Sequence, residues 1–235
     1  MQTFTGFTPD LFDFLAELAM NNTREWFEGQ KNRYEASVRG PAQALIRAMA
    51  PRLTPLSPHI VADDRKVGGS LMRIHRDTRF GSDKTPYKTN VGIQFRHSAG
   101  KDVHAPGLYL HIAHPGPGEM DGLFLGAGIY HPEKEPLEQI RQAIAEKPDA
   151  WRAVREDAAF AGTWTLGGES LKRPPRGFDP AHPFITDIQR KDFIGVADLS
   201  MDDVVRADLP DVLAARFMAA RPLMAFLCAA TGEAF

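Results

Sequence analysis

The spacing of hydrophobic residues changes twice along this chain, and this change limits the possible folds more than any other feature. The spacing is helical over residues 8–53, alternates between polar and apolar over 70–130, and is helical again over 133–235. Helices, then strands, then helices are typical of an α+β domain. We therefore predict a single domain over residues 1–235, in which N-terminal and C-terminal helices pack on an antiparallel sheet of about four or more strands.

The alternating region divides into short strands separated by turns rich in Gly, Pro and Asp. Close spacing of this kind favours an antiparallel meander over parallel strands joined by helices. The predicted strands are Leu71–Phe80, Val91–Phe95, Leu108–Ala113 and Leu123–Tyr130.

Basic residues are concentrated in one short segment. Between Arg65 and Lys88 there are seven Lys and Arg but only two Asp, whereas the whole chain has a formal net charge of −2. Like charges placed this closely repel one another, so the cluster costs stability unless an anion offsets it. We therefore predict that this segment is the working surface and that its partner is an anion.

The basic segment is rich in arginine, which recognises phosphate or carboxylate with two parallel hydrogen bonds. If Leu71–Phe80 is a strand, Arg73 and Arg79 share one face and Arg76 lies with the apolar set, where it needs a partner. A hairpin would bring the later lysines back beside them, with Tyr87 supplying a hydroxyl or a stacking face and His111 joining from a neighbouring strand. The predicted ligand-binding residues are Arg73, Arg76, Arg79, Lys84, Tyr87, Lys88 and His111.

The catalytic residues, if there are any, are unknown, and the candidates are Asp77 and His75. Three roles are open for Asp77: to orient the arginines, which we favour, to act as a general base, or to bind a metal. An ordinary histidine pKa suits His75 to proton transfer, but a structural role is the simpler interpretation.

No motif specifies a metal or a cofactor. Two of the histidines near the middle of the chain are three residues apart, so on a strand they face opposite sides, and no HExxH or paired-cysteine pattern is present. The residues considered were His97, His104, His111, His114 and Glu119. We predict no metal site, and the cofactor is unknown. The glycines at 116–118 and 126–128 match no phosphate loop, and Gly126 and Gly128 indicate a bulge or a close backbone approach.

The chain has one cysteine, Cys228, in an apolar run. It cannot form a disulfide within the chain, and we predict a buried, inert thiol in a reducing compartment. No signal peptide and no apolar run of membrane-spanning length are evident, so we expect a cytoplasmic protein without a membrane partner. The oligomeric state stays open.

The segment from Arg73 to Lys88 fits the pattern RxxRDxRFxxxKxPYK and resembles the signature of the domain of unknown function 2461 family. Similar stretches occur along nearly the whole chain, among them FTGFTPDLFDFLAEL, NNTREWFEGQKNRYE, KRPPRGFDPAHPF and KDFIG. The resemblance implies one soluble, mostly bacterial domain. It supplies no catalytic residues.

Four functions are consistent with this pattern. The leading hypothesis is a protein that binds a small molecule bearing phosphate or carboxylate. The first alternative is an enzyme acting on a phosphorylated substrate, with Asp77 or His75 as general acid or base. The others are nucleic-acid binding, assisted by basic residues at 172–176, and a structural network in which the cations pair with acids of the N-terminal helices. Those acids are Glu25, Glu28 and Glu35.

Overall fold

The computed structural model describes residues 3–79, 83–100, 105–114 and 122–235. The N-terminal part is helical. Its elements are α1 (Asp10–Met20), α2 (Arg24–Gly29), α3 (Lys31–Tyr34), a π-helical segment (Glu35–Arg39) and α4 (Gly40–Leu53). The boundary between α1 and α2 has a local cause, because Asn21 ends α1 and the Thr23 hydroxyl accepts a hydrogen bond from the Trp26 backbone N–H at 3.2 Å.

The described residues form a six-stranded antiparallel open sheet. Its strands are β1 (Ile60–Val61), β2 (Asn90–His97), β3 (Gly107–Ala113), β4 (Leu123–Ile129), β5 (Thr165–Gly167) and β6 (Phe193–Asp198). They lie side by side in the order β1-β2-β3-β4-β6-β5. The α+β prediction is confirmed, but the sheet extends beyond residues 70–130 at both ends, and β5 and β6 lie in the region 133–235, which was predicted to be mainly helical.

The C-terminal part contains the remaining helices. They are α5 (Lys134–Glu146), α6 (Pro148–Glu156), α7 (Ala158–Thr163), α8 (Ile185–Ile188), α9 (Met201–Val205), α10 (Leu209–Ala219) and α11 (Arg221–Thr231). Within the described part of the chain, no single helix has both the length and the apolar character needed to cross a membrane. The pair α10 and α11 meets those two criteria only when taken together, and it is bent by 56°.

The two faces of the sheet have different surroundings. One face packs on the C-terminal helices: Phe95 meets Phe217 of α10 edge to face at 6.1 Å, and a side chain at Gly195 would lie 3.3 Å from Trp164 and 3.5 Å from Leu223. On the opposite face, alternate residues such as Tyr109 border a cavity. The core therefore lies on one side of the sheet.

The predicted strand Leu71–Phe80 is wrong. Residues 71–79 form no strand: Leu71 forms an isolated bridge to Ile93 of β2, and His75 forms one to Tyr87, which precedes β2 in the chain. The Asp77 carboxylate accepts a hydrogen bond from the Arg79 backbone N–H at 3.1 Å. A side chain that bonds the backbone two residues later turns the chain and competes with strand pairing. Phe80 lies outside the described residues.

Candidate functional site

The basic segment is a hairpin-like loop whose base is fixed on the N-terminal helices. The backbone N–H of Arg76 donates to the Pro86 carbonyl at 2.9 Å, and that of Lys88 donates to the Ile74 carbonyl at 2.7 Å. The expectation that the segment folds back on itself is therefore met, although not by strand pairing.

Tyr87 anchors this loop. Its side chain is 3% exposed, and its ring stacks on Phe27 of α2 with 4.1 Å between centroids. The Asn22 side chain donates to the Tyr87 carbonyl at 2.9 Å and accepts from the Tyr87 N–H at 3.1 Å. Tyr87, which we predicted to offer a hydroxyl or a stacking face to a ligand, thus lies in the core beneath the loop.

A cavity of about 340 Å³ opens between the loop and α2. Its described lining contains three cationic side chains and an imidazole but no carboxylate. The lining residues are Arg24, His75, Arg76, Thr78, Lys84 and Pro86. Three predicted site residues, His75, Arg76 and Lys84, are brought together here. Reasoning from periodicity missed Arg24, whose only signal was its place in the NNTREWFEGQKNRYE stretch of the family resemblance.

Arg76 is incompletely satisfied in this cavity. One of its terminal nitrogens, Nη1, lies 3.2 Å from the Asp83 carboxylate. Its Nε is buried and, within the described part of the chain, has no hydrogen-bond partner. A buried donor without a partner costs about 1–3 kcal/mol, so this position of Arg76 is unfavourable for the loop by itself.

Asp77 is held by arginines. The Arg79 guanidinium donates to its two oxygens at 3.0 and 2.7 Å, and Arg73 lies 4.0 Å away. The hydrogen bonds from the Arg79 side chain and backbone lower the pKa of Asp77. A carboxylate with a lowered pKa is a weak base. This geometry favours the role of orienting the arginines over that of general base.

Lys88 lies close to two arginines of the same loop, Arg73 and Arg76. Burial, followed by the charges of Arg73 and Arg76, lowers the pKa of its amine. The loop therefore brings Lys88 close to these arginines, as expected from a hairpin. Lys84 lies nearer the tip and donates to the Thr78 carbonyl at 2.7 Å.

Two of the three acids expected to neutralise the cluster pair with other cations. Glu28 pairs with Lys31, and Glu35 pairs with Arg39. Within the segment, Arg73 and Arg79 lie close to Asp77, and Arg76 pairs with Asp83; Arg65 pairs with Asp63, just before the segment. These contacts do not form the network with the N-terminal helices that the structural hypothesis requires.

His111 lies apart from the cation-lined cavity. It is fully buried on β3, where its Nδ1 is 3.0 Å from the Tyr109 hydroxyl and its ring stacks on Phe124 at 4.5 Å. In the described residues, no three His, Cys, Asp or Glu side chains gather where they could hold a metal ion. His104 and Glu119, from the predicted histidine group, and the glycines at 116 and 118 lie outside the described residues.

The fold and the site define an α+β protein with an open antiparallel sheet and a cation-lined cavity beside it. A family model described as Conserved hypothetical protein (DUF2461) matches residues 10–226. The chain therefore belongs to this family, as its signature segment led us to expect. Searches among curated proteins and among solved structures gave no match.

Proposed function

We propose that this protein binds a small molecule bearing phosphate or carboxylate in the cavity between the basic loop and α2. One observation carries the proposal: the described lining presents Arg24, Arg76 and Lys84 with no carboxylate among them. Cations that converge on a cavity attract an anion of matching size and repel one another in its absence.

The chemistry of the neighbouring side chains supports an anion of this kind. Arg76 lines the cavity, and a guanidinium can bind two oxygens of a phosphate or carboxylate at once. In the same loop, Asp77 fixes Arg79 and lies 4.0 Å from Arg73. An anion near Lys88 would also offset the charges that lower the pKa of this amine.

The proposal is tested by isothermal titration with inorganic phosphate, pyrophosphate, a sugar phosphate and citrate at low and high salt. We expect at least one of them to bind the wild-type protein. The Arg76→Met and Lys84→Met variants should weaken that binding by about ten-fold each, the loss expected for one charged hydrogen bond.

Lys172→Met is the matched control, because Lys172 is an exposed cation outside the cavity. Its affinity should equal that of the wild type. Equal losses in Lys84→Met and Lys172→Met would show general charge attraction only and would refute the site. Binding only of a short oligonucleotide would replace the proposal with the nucleic-acid hypothesis.

A further inference from the structure

The open face of the sheet contains a second cavity, of about 570 Å³, that the anion site does not use. Its floor is a strip of bare backbone across β3 and β4. Gly107 lies opposite Gly128, and Tyr109 lies opposite Gly126, so three of these four neighbouring positions have no side chain. We call this strip and its walls the glycine trench.

Glycine is required at one position of the trench but not at another. Gly128 has φ of +128°, and a side chain there would lie 2.0 Å from the Phe193 carbonyl, so the backbone itself requires glycine. At Gly126 a Cβ would meet only Tyr109, at the ordinary distance of 3.4 Å. Glycine inside a strand costs stability relative to other residues, and it often marks a place where a ligand approaches the backbone.

The walls of the trench are aromatic and held in place. The Tyr109 hydroxyl lies 3.0 Å from His111 Nδ1, and the His111 ring is nearly parallel to Phe124, at 11°. Burial raises the pKa of Tyr109 to about 12, so this phenol is uncharged at neutral pH. Ile194 and Val196 of β6 border the other side. A flat floor with such walls fits a planar ring better than a branched chain.

The polar groups of the trench determine the charge of its ligand. Gln94 and Asp198 line it, and no described residue hydrogen-bonds either side chain. Asp198 is the one charged side chain in the described lining, which contains no Lys or Arg. The trench therefore offers acceptors to a hydrogen-bond donor or a cation, and its described lining lacks the cations with which the basic loop attracts anions.

We propose that the glycine trench binds a planar heteroaromatic molecule that lies flat over Gly126 and points an N–H donor or a cationic nitrogen at Asp198. Gln94 on β2 is level with Val196 on β6, three strand spacings or about 14 Å away, and Asp198 lies two residues further along β6. This width accommodates a ring system of two or three fused rings. The proposal is independent of the anion site, because none of the residues lining one cavity lines the other.

The probe is proflavine, a planar three-ring cation with amino donors, and 2-anthracenecarboxylate is its anionic counterpart of the same shape. Fluorescence titration should show one proflavine site per chain and no comparable binding of the anthracene. Gly126→Val fills the floor with a residue suited to strands and should weaken proflavine binding at least ten-fold, with little change in Tm.

Asp198→Asn keeps the packing and removes the charge, so we expect about five-fold weaker proflavine binding, as one screened ion pair is worth about 1 kcal/mol. Asp202→Asn is the control, since Asp202 is an exposed acid outside the trench. The proposal is overturned if proflavine does not bind, if it binds both Asp variants equally, or if the anthracene binds as tightly. If Gly126→Val does not fold, the comparison of Asp198→Asn with Asp202→Asn still tests the proposal.

Discussion

At the scale of single residues, Asn22 shows how one side chain can position a loop. It satisfies both the backbone N–H and the carbonyl of Tyr87, as a neighbouring strand would. The aromatic stack of Tyr87 on Phe27 then fixes the base of the basic loop against α2. The cations of the loop thus owe their positions partly to an uncharged residue that our motif analysis passed over.

We expect Asn22→Ala to lower the free energy of unfolding by about 1–2 kcal/mol, because two partly buried backbone groups lose their partner. Urea unfolding of the purified variant measures this. Asn21→Ala is the control, since Asn21 is exposed and bonds only the carbonyl of Glu17 in its own helix. Equal stabilities for the two variants would contradict this role of Asn22.

Cys228 is a second residue whose surroundings determine its behaviour. It is fully buried, and burial, with a smaller effect of Glu233, raises the pKa of its thiol to about 12. The thiolate is the reactive form, so we expect a thiol reagent such as DTNB to label the native protein at pH 8 only as fast as it unfolds. Rapid labelling without denaturant would refute the inert role.

At the scale of elements, Arg33 of α3 joins two helices. It bonds Asp10 and Glu17 of α1, at 2.6 and 2.8 Å, and the Ser37 hydroxyl donates to Asp10 at 2.6 Å. The hydrogen bonds from Arg33 and then Ser37 lower the pKa of Asp10 below 3.8. This contribution to stability is therefore present above pH 3.8 and is lost as the pH falls through the folded-state pKa.

Asp10→Asn should lower the free energy of unfolding at pH 7 by about 1 kcal/mol, a modest value because solvent screens these partly exposed groups. The difference from wild type should shrink below about pH 3.8. Urea unfolding between pH 7 and pH 3 measures both effects. The control is Asp13→Asn, which replaces an exposed carboxylate of the same helix and should lower the free energy of unfolding at pH 7 by less than Asp10→Asn does.

Periodicity predicted the strands that have one apolar face and one mixed face, namely β2, β3 and β4. It did not reveal β6, because apolar or small residues occupy both of its faces: Phe193 and Ala197 face the helices, and Ile194 and Val196 border the trench. Such a strand shows no alternation. Its pairing depends on β4, which is distant in sequence.

The candidate site was predictable in charge but not in shape. Charge counting identified Arg76 and Lys84, both of which line the cavity. Arg24 supplies the third cation of the cavity lining, and it reaches the cavity because α2 packs beside the loop. We assumed that residues 71–80 form a strand with alternating faces, and the turn at Asp77 makes this assumption wrong. The turn depends on a hydrogen bond from the Arg79 backbone N–H to the Asp77 side chain, which periodicity does not reveal.

At the scale of the whole molecule, the hydrophobic core is continuous. One cluster of buried side chains runs from Phe4 to Leu227 and includes residues of both helical regions and of the sheet. We propose on this basis that residues 1–235 form one domain. The individual short helices would bury little apolar surface alone.

A single domain of this kind should unfold in one step. We expect urea transitions followed by tryptophan fluorescence and by far-UV circular dichroism to coincide. The tryptophans report on both ends of the chain, since Trp26 lies in α2 and Trp151 in α6. Two separated transitions would show that the N-terminal helices form an independent unit.

The position of β6 has a consequence for how the chain is made. The segments α5 to α8 and β5 are synthesised between β4 and β6, yet β6 pairs with both β4 and β5. On the ribosome, β4 can pair with β3 alone, and β5 lacks its partner in the sheet, until residues 193–198 have emerged. Pairing across such a sequence separation is slow, and waiting strand edges are prone to associate with other chains. A chain stopped before Phe193 therefore lacks the strand that joins the two parts of its sheet.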